Sequence, residues 1–326
     1  MKLSIAMLGL ALAACGVESV PTDDAPGWTE ELSTNDGALL GVWGTGPNDV
    51  WAVGGQVDRA LVLHNDGRRW THVPVDGGAL LITTYGFTAS DVYAVGEHGL
   101  ILHFDGTAWS RIDAGVDVPL YGVWGASGDD VWIVGGDRFG AAGAAVVLRG
   151  SRGVFHVVDD LPAELVPSVL YKVHGFAPDD VVMVGSAGVL RWNGAQWRRD
   201  DVPMAGPLFS TWGRADDDLY AVGGSSVGEV LHFDGQAWRE LVQVGVGGGL
   251  SGVFTSAEGP AYAVGGDAVV LEIGRDGTIA QAAMPALSST PQLHGVWGDD
   301  AGSVYTVGGS LLDYPRAMTG VILRRQ

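Results

Sequence analysis

Three acidic–basic clusters raise the question of chemistry: Asp58–Arg59, Asp137–Arg138 and Asp313–Tyr314–Pro315–Arg316. A guanidinium grips a carboxylate or sulfate through two parallel N–H bonds. A carboxylate beside it can accept bonds from sugar hydroxyls or ligate calcium. Only 16 of the 326 residues are arginine, so one in each of these three segments is a concentration. Phe139, Tyr314 and His98 could add stacking or polar contacts. The pattern suits a face that binds a protein or a glycan. It equally suits charges that solubilise loops or pair with one another, and both readings stay open at this point.

Other reactive residues are less promising. Of eight histidines, His64, His103 and His232 occupy one repeated position, which predicts a shared structural role. His174 and His294 fall on apolar strands, and no histidine spacing is that of metal ligands. Asp49, Asp91, Asp130, Asp180 and Asp218 also recur. They are expected to stabilise turns by accepting bonds from backbone amides. No G-x-S-x-G occurs, and Leu250 breaks the G-x-G-x-x-G that Gly245 begins, so neither a serine hydrolase nor a dinucleotide site is expected. No metal or cofactor is implied, except that the acidic loops leave calcium open.

The elements that must hold these residues form a repeat. LGVWGTGPNDVWAVGG (residues 40–55) recurs six times. The small residue ending its first apolar run is Gly44, Gly86, Gly125, Gly175, Gly213, Thr255 or Gly298. These anchors are 42, 39, 50, 38, 42 and 43 residues apart, and a valine stands nine residues after each. Strand-rich repeats of this length predict a β-propeller. Each copy reads as an apolar strand, a turn, and a second strand apolar on both faces (Val50 to Val53). A variable loop, a third strand and a tight turn to a fourth strand follow. Strands apolar on both faces need cover on both sides, and stacked blades give it.

The last turn has its own mark, Asp or Asn four residues before tryptophan: Asp66/Trp70, Asp105/Trp109, Asn193/Trp197 and Asp234/Trp238. It also occurs as Asp24/Trp28, before the first copy, while the seventh copy ends after its third strand. Residues from Trp28 to Leu32 are therefore expected to complete the last of seven four-stranded blades and close the ring. Phe155 and Ile279 stand in for the missing tryptophans of blades 3 and 6. From the glycine ending the second strand to the third-strand leucine, separations are 9, 6, 13, 5, 8, 6 and 15 residues in blade order. Variation is thus confined to the face carrying these second-to-third loops, where binding is expected. Asp58–Arg59, Asp137–Arg138 and Asp313–Arg316 lie in the three longest.

The N-terminus reads as an export leader. Met1 and Lys2 precede an apolar run too short to span a bilayer. Leu12-Ala13-Ala14-Cys15 resembles a bacterial lipobox, which implies lipidation of Cys15, the only cysteine. The expected plan is a leader over 1–14, a lipidated cysteine and tether over 15–26, and one propeller over 27–326. The protein would then lie in the cell envelope, facing the periplasm or on the outer membrane, touching membrane through its lipid alone. A net charge of −20 argues against nucleic acid as a partner. A monomer is expected.

With AVGGSSVGEVLHFDGQAW and AVGEHGLILHFDGTAW, the repeats resemble those of kelch and Asp-box (BNR) propellers. Kelch repeats usually carry tyrosine where this chain has His64, His103 and His232, and Asp boxes usually hold one more residue between Asp and Gly. The resemblance implies the propeller and admits three functions. The first is a non-catalytic binding or scaffold protein. The second is a sialidase-like or lyase-like enzyme, with Arg59, Arg138 and Arg316 around a substrate, Tyr314 as nucleophile and Asp58 assisting. The third is an envelope assembly factor. Nothing in the residues requires catalysis, and binding is the expected role.

Overall fold

A computed structural model of the chain describes residues 27–139, 144–287, 289–311 and 317–325. Cys15, the tether, and Asp313, Tyr314 and Arg316 lie outside these residues. Seven four-stranded antiparallel sheets form the ring. Blade 1 is Ala38–Gly46, Asp49–Gln56, Arg59–Asn65 and Trp70–His72, ordered from the axis outward. In blade 7, the strands Gln292–Gly298, Val304–Ser310 and Thr319–Arg325 are completed on the outside by Trp28–Thr34. Trp28 pairs with Arg325 and Thr34 with Gly320, and Trp28 is buried against Tyr262 of blade 6. The ring closes as the sequence predicts.

Burial follows the double-sided apolar pattern of the second strands. Val50, Trp51, Ala52 and Val53 are all buried, as are Val131, Trp132, Ile133 and Val134 of blade 3. Phe155 and Ile279 replace tryptophan as expected. Phe155 is buried edge-on to Tyr93 of blade 2, and both blades keep four strands. Around the axis the inner strands approach so closely that a side chain is hard to place between them. A Cβ on Gly41 would lie 2.8 Å from the Thr83 Cα, and one on Gly122 3.0 Å from the Lys172 Cα.

The recurring histidines and aspartates form a belt within the blades. His64 Nε2 lies 2.7 Å from Asp49 Oδ1, and the pairs His103–Asp91 and His232–Asp218 each measure 2.8 Å. An ionised carboxylate only accepts, so each Nε2 carries the donated proton. Each imidazole also packs on the aromatic residue paired with it across the strands: Trp51 at 4.2 Å, Tyr93 at 4.4 Å and Tyr220 at 4.6 Å. In blade 3 Arg149 does the same work, making two bonds to Asp130 and lying 4.4 Å over Trp132. This corrects the expectation for the aspartates: four of the five clamp a third-strand histidine or arginine rather than capping a turn through amides. The amide-binding role belongs to Asp66, Asp105 and Asp234, whose carboxylates each accept two backbone N–H bonds in the following turn.

Blade 4 departs from the belt. Arg191 is buried and turns to Asp200, 2.7 Å away, while stacking on Phe233 of blade 5. Asp180 is left outside that pair, and burial pushes its carboxyl above the ordinary range.

Candidate functional site

The inner strands enclose a channel of about 990 Å³ along the axis. This is at the upper end of the ~300–1,000 Å³ usual for small-molecule pockets. Each blade contributes residues at fixed offsets before its anchor. Four residues before, the ring reads Leu40, Ile82, Tyr121, Tyr171, Phe209, Ser251 and His294, each half-buried and lining the channel. Three consecutive blades make one side aromatic: Tyr121–Tyr171 and Tyr171–Phe209 meet nearly edge to face, both with centroids 5.1 Å apart. The facing side is polar, with Ser251 accepting a bond from the Gln292 amide at 3.2 Å beside His294.

The next ring inward holds the small residues that let the strands approach: Gly41, Thr83, Gly122, Ser210, Gly252 and Gly295. Blade 4 places Lys172 there. Its Nζ reaches past blade 3 to donate to Thr83 Oγ1 of blade 2 at 3.4 Å, its single hydrogen bond among the described residues. Burial pushes the ammonium down to about 8, with no nearby carboxylate to hold it up. Lys172 is also the only lysine beyond Lys2. Two histidines accompany it, His174 buried and His294 half-buried. Burial and the Lys172 charge push His174 down to about 3, and burial pushes His294 down to about 4, so both are neutral.

The mouth is built from the second-to-third connections. Glu97 and His98 come from a short turn of blade 2, and Arg138 from the long connection of blade 3. Burial pushes the Glu97 carboxyl up, against the pull of His98 and Arg138. Burial, aided by Glu97, pushes the Tyr121 hydroxyl up to about 12. Arg138 lies 4.7 Å over the ring of Phe139, which is 84% exposed. Asp137 accepts the Phe139 N–H at 2.8 Å and so shapes this loop.

Among the described residues, only some of those that the sequence grouped together reach the channel. Arg138, His98 and Phe139 stand at or beside the channel mouth. Asp58 and Arg59 do not line the channel. The nine-residue separation in blade 1 is not a long loop: its strands run on in register to the pair Gln56–Arg59, and Val57–Asp58 form a two-residue turn. Arg59 sits at that hairpin tip and, among the described residues, bonds only the Asp36 carbonyl, at 3.4 Å. Asp313, Tyr314 and Arg316 lie outside the described residues. Sequence reasoning missed Lys172, although a lone lysine where other repeats carry Gly, Ser or Thr was a readable signal.

Among the described residues, no three His, Cys, Asp or Glu side chains gather as a metal site, and no helix is long and apolar enough to cross a membrane. A shallower hollow of about 460 Å³ between blades 3 and 4 is lined by Asp129, Asp130 and Arg149, whose charges are already paired.

No known family model matches the chain, and no curated protein matches it in sequence. Solved propellers do match in structure. YCF48 bound to D1 peptide superposes with a TM-score of 0.66 at 15% identity, covering 95% of this chain and 99% of that one. The WD40 β-propeller domain of Doa1 gives 0.69 at 11% identity, covering 91% and 97%. Virginiamycin B lyase from Staphylococcus aureus gives 0.65 at 11% identity, covering 90% and 97%. The chain is a seven-bladed β-propeller, and at these identities the likeness defines the fold alone.

Proposed function

We propose that this chain is a non-catalytic binding propeller that engages a segment of a partner protein through its variable-connection face and the channel mouth. The observation that carries this reading is the asymmetry of the mouth. An exposed Phe139 under Arg138 stands beside a channel with an aromatic wall from blades 3 to 5. Exposed aromatic and arginine side chains on a rigid rim are the usual anchors of protein recognition. A structurally similar propeller is described with a bound peptide, and others are WD40 domains, which supports the choice of a protein over a glycan. We read the repeat as kelch-like or Asp-box-like on its third-to-fourth turns. On the lipobox-like LAAC we place the protein in a bacterial envelope, anchored through lipid on Cys15.

The test is a photo-crosslinking residue at position 139, compared with one at position 68 in a third-to-fourth turn on the opposite face. A partner captured at 139 and absent at 68 supports the reading. Equal capture at both positions, or capture at 68 alone, removes it. Cys15→Ala separately tests the anchor, since a protein that stays membrane-bound without the cysteine is not held by lipid there.

A further inference from the structure

We infer that Lys172 is the anion-binding floor of the channel, built to receive a carboxylate carried on an aromatic or apolar body. The inference deepens the binding reading above and rests on the channel being its site. Three observations meet at this residue. The first is charge: the chain carries 38 acidic residues, yet none of the described ones forms an ion pair with Lys172. An ammonium has three donors, and among the described residues only one is used, on Thr83 Oγ1 across the channel. The second is position. The other six blades fill this place with Gly, Thr or Ser, so the packing of the inner ring calls for a small residue rather than a long cation.

The third is the surroundings. Tyr171 directly precedes Lys172, and the edge-to-face run Tyr121–Tyr171–Phe209 lines the channel beside it. A planar or apolar body fits that wall, while a carboxylate at its end would supply the acceptor that the ammonium lacks. Burying an unpaired charge costs stability. Residues that break the local rules of a fold without a structural gain are expected at functional sites. A small aromatic acid and the carboxylate end of a peptide chain share this chemistry.

The whole chain offers a direct readout. With [15N]lysine, the leader-processed protein contains one ε-amine, and its resonance reports on Lys172 alone. Indole-3-acetate and the tripeptide Gly-Gly-Phe would be titrated by calorimetry and by this resonance, each against its neutral amide. The acids are expected to shift the ε-amine and to bind at least about tenfold more tightly than the amides, as one charge-assisted bond implies. Lys172→Met should abolish that preference and Lys172→Arg should keep part of it. Tighter binding of the tripeptide assigns the site to a chain terminus, and tighter binding of indole-3-acetate to a free acid. Equal binding of acid and amide, no binding of either acid to the folded protein, or an acid preference that survives in Lys172→Met would each overturn the inference. Capture of a protein at position 139 does not depend on Lys172, so the two readings can fail separately.

Discussion

The His–Asp belt inside the blades and the channel they enclose are built from the same repeat, yet they treat polar groups in opposite ways. In the belt, the third-strand histidine of blades 1, 2 and 5 meets a carboxylate each time. His64 has Asp49 at 2.7 Å and Trp51 beneath it, and the arrangement returns in blades 2 and 5, with Arg149 in its place in blade 3. In the channel, Lys172 has a single long hydrogen bond, and His294 Nε2 has none among the described residues. Repetition therefore marks what holds the ring together. Departure from it marks where the ring has been left incomplete for something else.

The largest test of the structural side is the closure. Deleting residues 16–32 removes the buried Trp28 and most of the outer strand of blade 7, exposing the edge of Thr319–Arg325. Trp28→Ala alone is expected to cost about 3–5 kcal/mol, and the deletion more. Deleting 16–22 should leave the melting temperature almost unchanged. Equal melting temperatures for the two truncations would defeat the closure argument.

Substituting Lys172 should have the opposite sign. Burial lowers its ammonium from 10.5 to about 8 in the fold. Below pH 8 both folded and unfolded chains carry the proton, and the full cost of burying the charge is present. Between pH 8 and 10.5 the unfolded chain binds more protons than the folded one, so stability contributed by this site rises with pH. Lys172→Met is therefore expected to stabilise the domain at pH 7 by up to about 3 kcal/mol, with the gain shrinking through that window. Denaturant titrations at pH 7 and pH 10 measure it. A variant less stable than the parent at pH 7 would mean that the amine is held by contacts stronger than its bond to Thr83.

Asp49→Ala probes the belt in the same terms. Burial pushes the Asp49 carboxyl up, but bonds from His64 and Thr45 and the His64 charge outweigh it and leave the group below 3.8. Its contribution is present above that value and lost as pH falls through the lowered value. The substitution should cost about 1–2 kcal/mol at neutral pH, as expected for a lost partner of a half-buried donor. The difference from the parent should narrow in acid, and a constant difference down to pH 2 would separate Asp49 from the pairing described.

These tests also show which parts of the molecule the sequence could reveal. The blades were readable because a period of about forty residues repeats a local pattern, and Asp24/Trp28 betrayed the closure by carrying the turn mark out of place. The belt was half readable. The shared histidine position implied a common role, but its partner is set by cross-strand register, which puts Asp49 opposite His64 only once the sheet is formed. Arg191 shows the limit, since its choice of Asp200 over Asp180 depends on the neighbouring blade's Phe233 and Trp238. The channel was hardly readable, because its walls come from seven segments spread over the whole chain. Its one sequence signal is a violation of the repeat at Lys172, where attention to agreement among the copies overlooks it.

The smallest expected effect separates two arginines that the sequence treated as equals. A separation of nine residues can be a loop that leans over the axis or two strands that run longer before a tight turn. In blade 1 it is the second, because Gln56 and Arg59 still pair across the ladder. That geometry holds Arg59 at an exposed hairpin tip with one bond of 3.4 Å to a backbone carbonyl. Arg59→Ala should change stability by no more than about 0.5 kcal/mol, the usual range for surface sites, and leave crosslinking at position 139 and aromatic-acid binding unaltered. Arg138 belongs to a loop with room to reach the mouth, where it influences both Glu97 and Tyr121. Arg138→Ala should spare stability equally but weaken acid binding several-fold, because the incoming carboxylate loses the cation at the rim before it meets Lys172. Matching losses from both variants would show that charge anywhere on this face suffices, and that the hairpin of blade 1 belongs to the site after all.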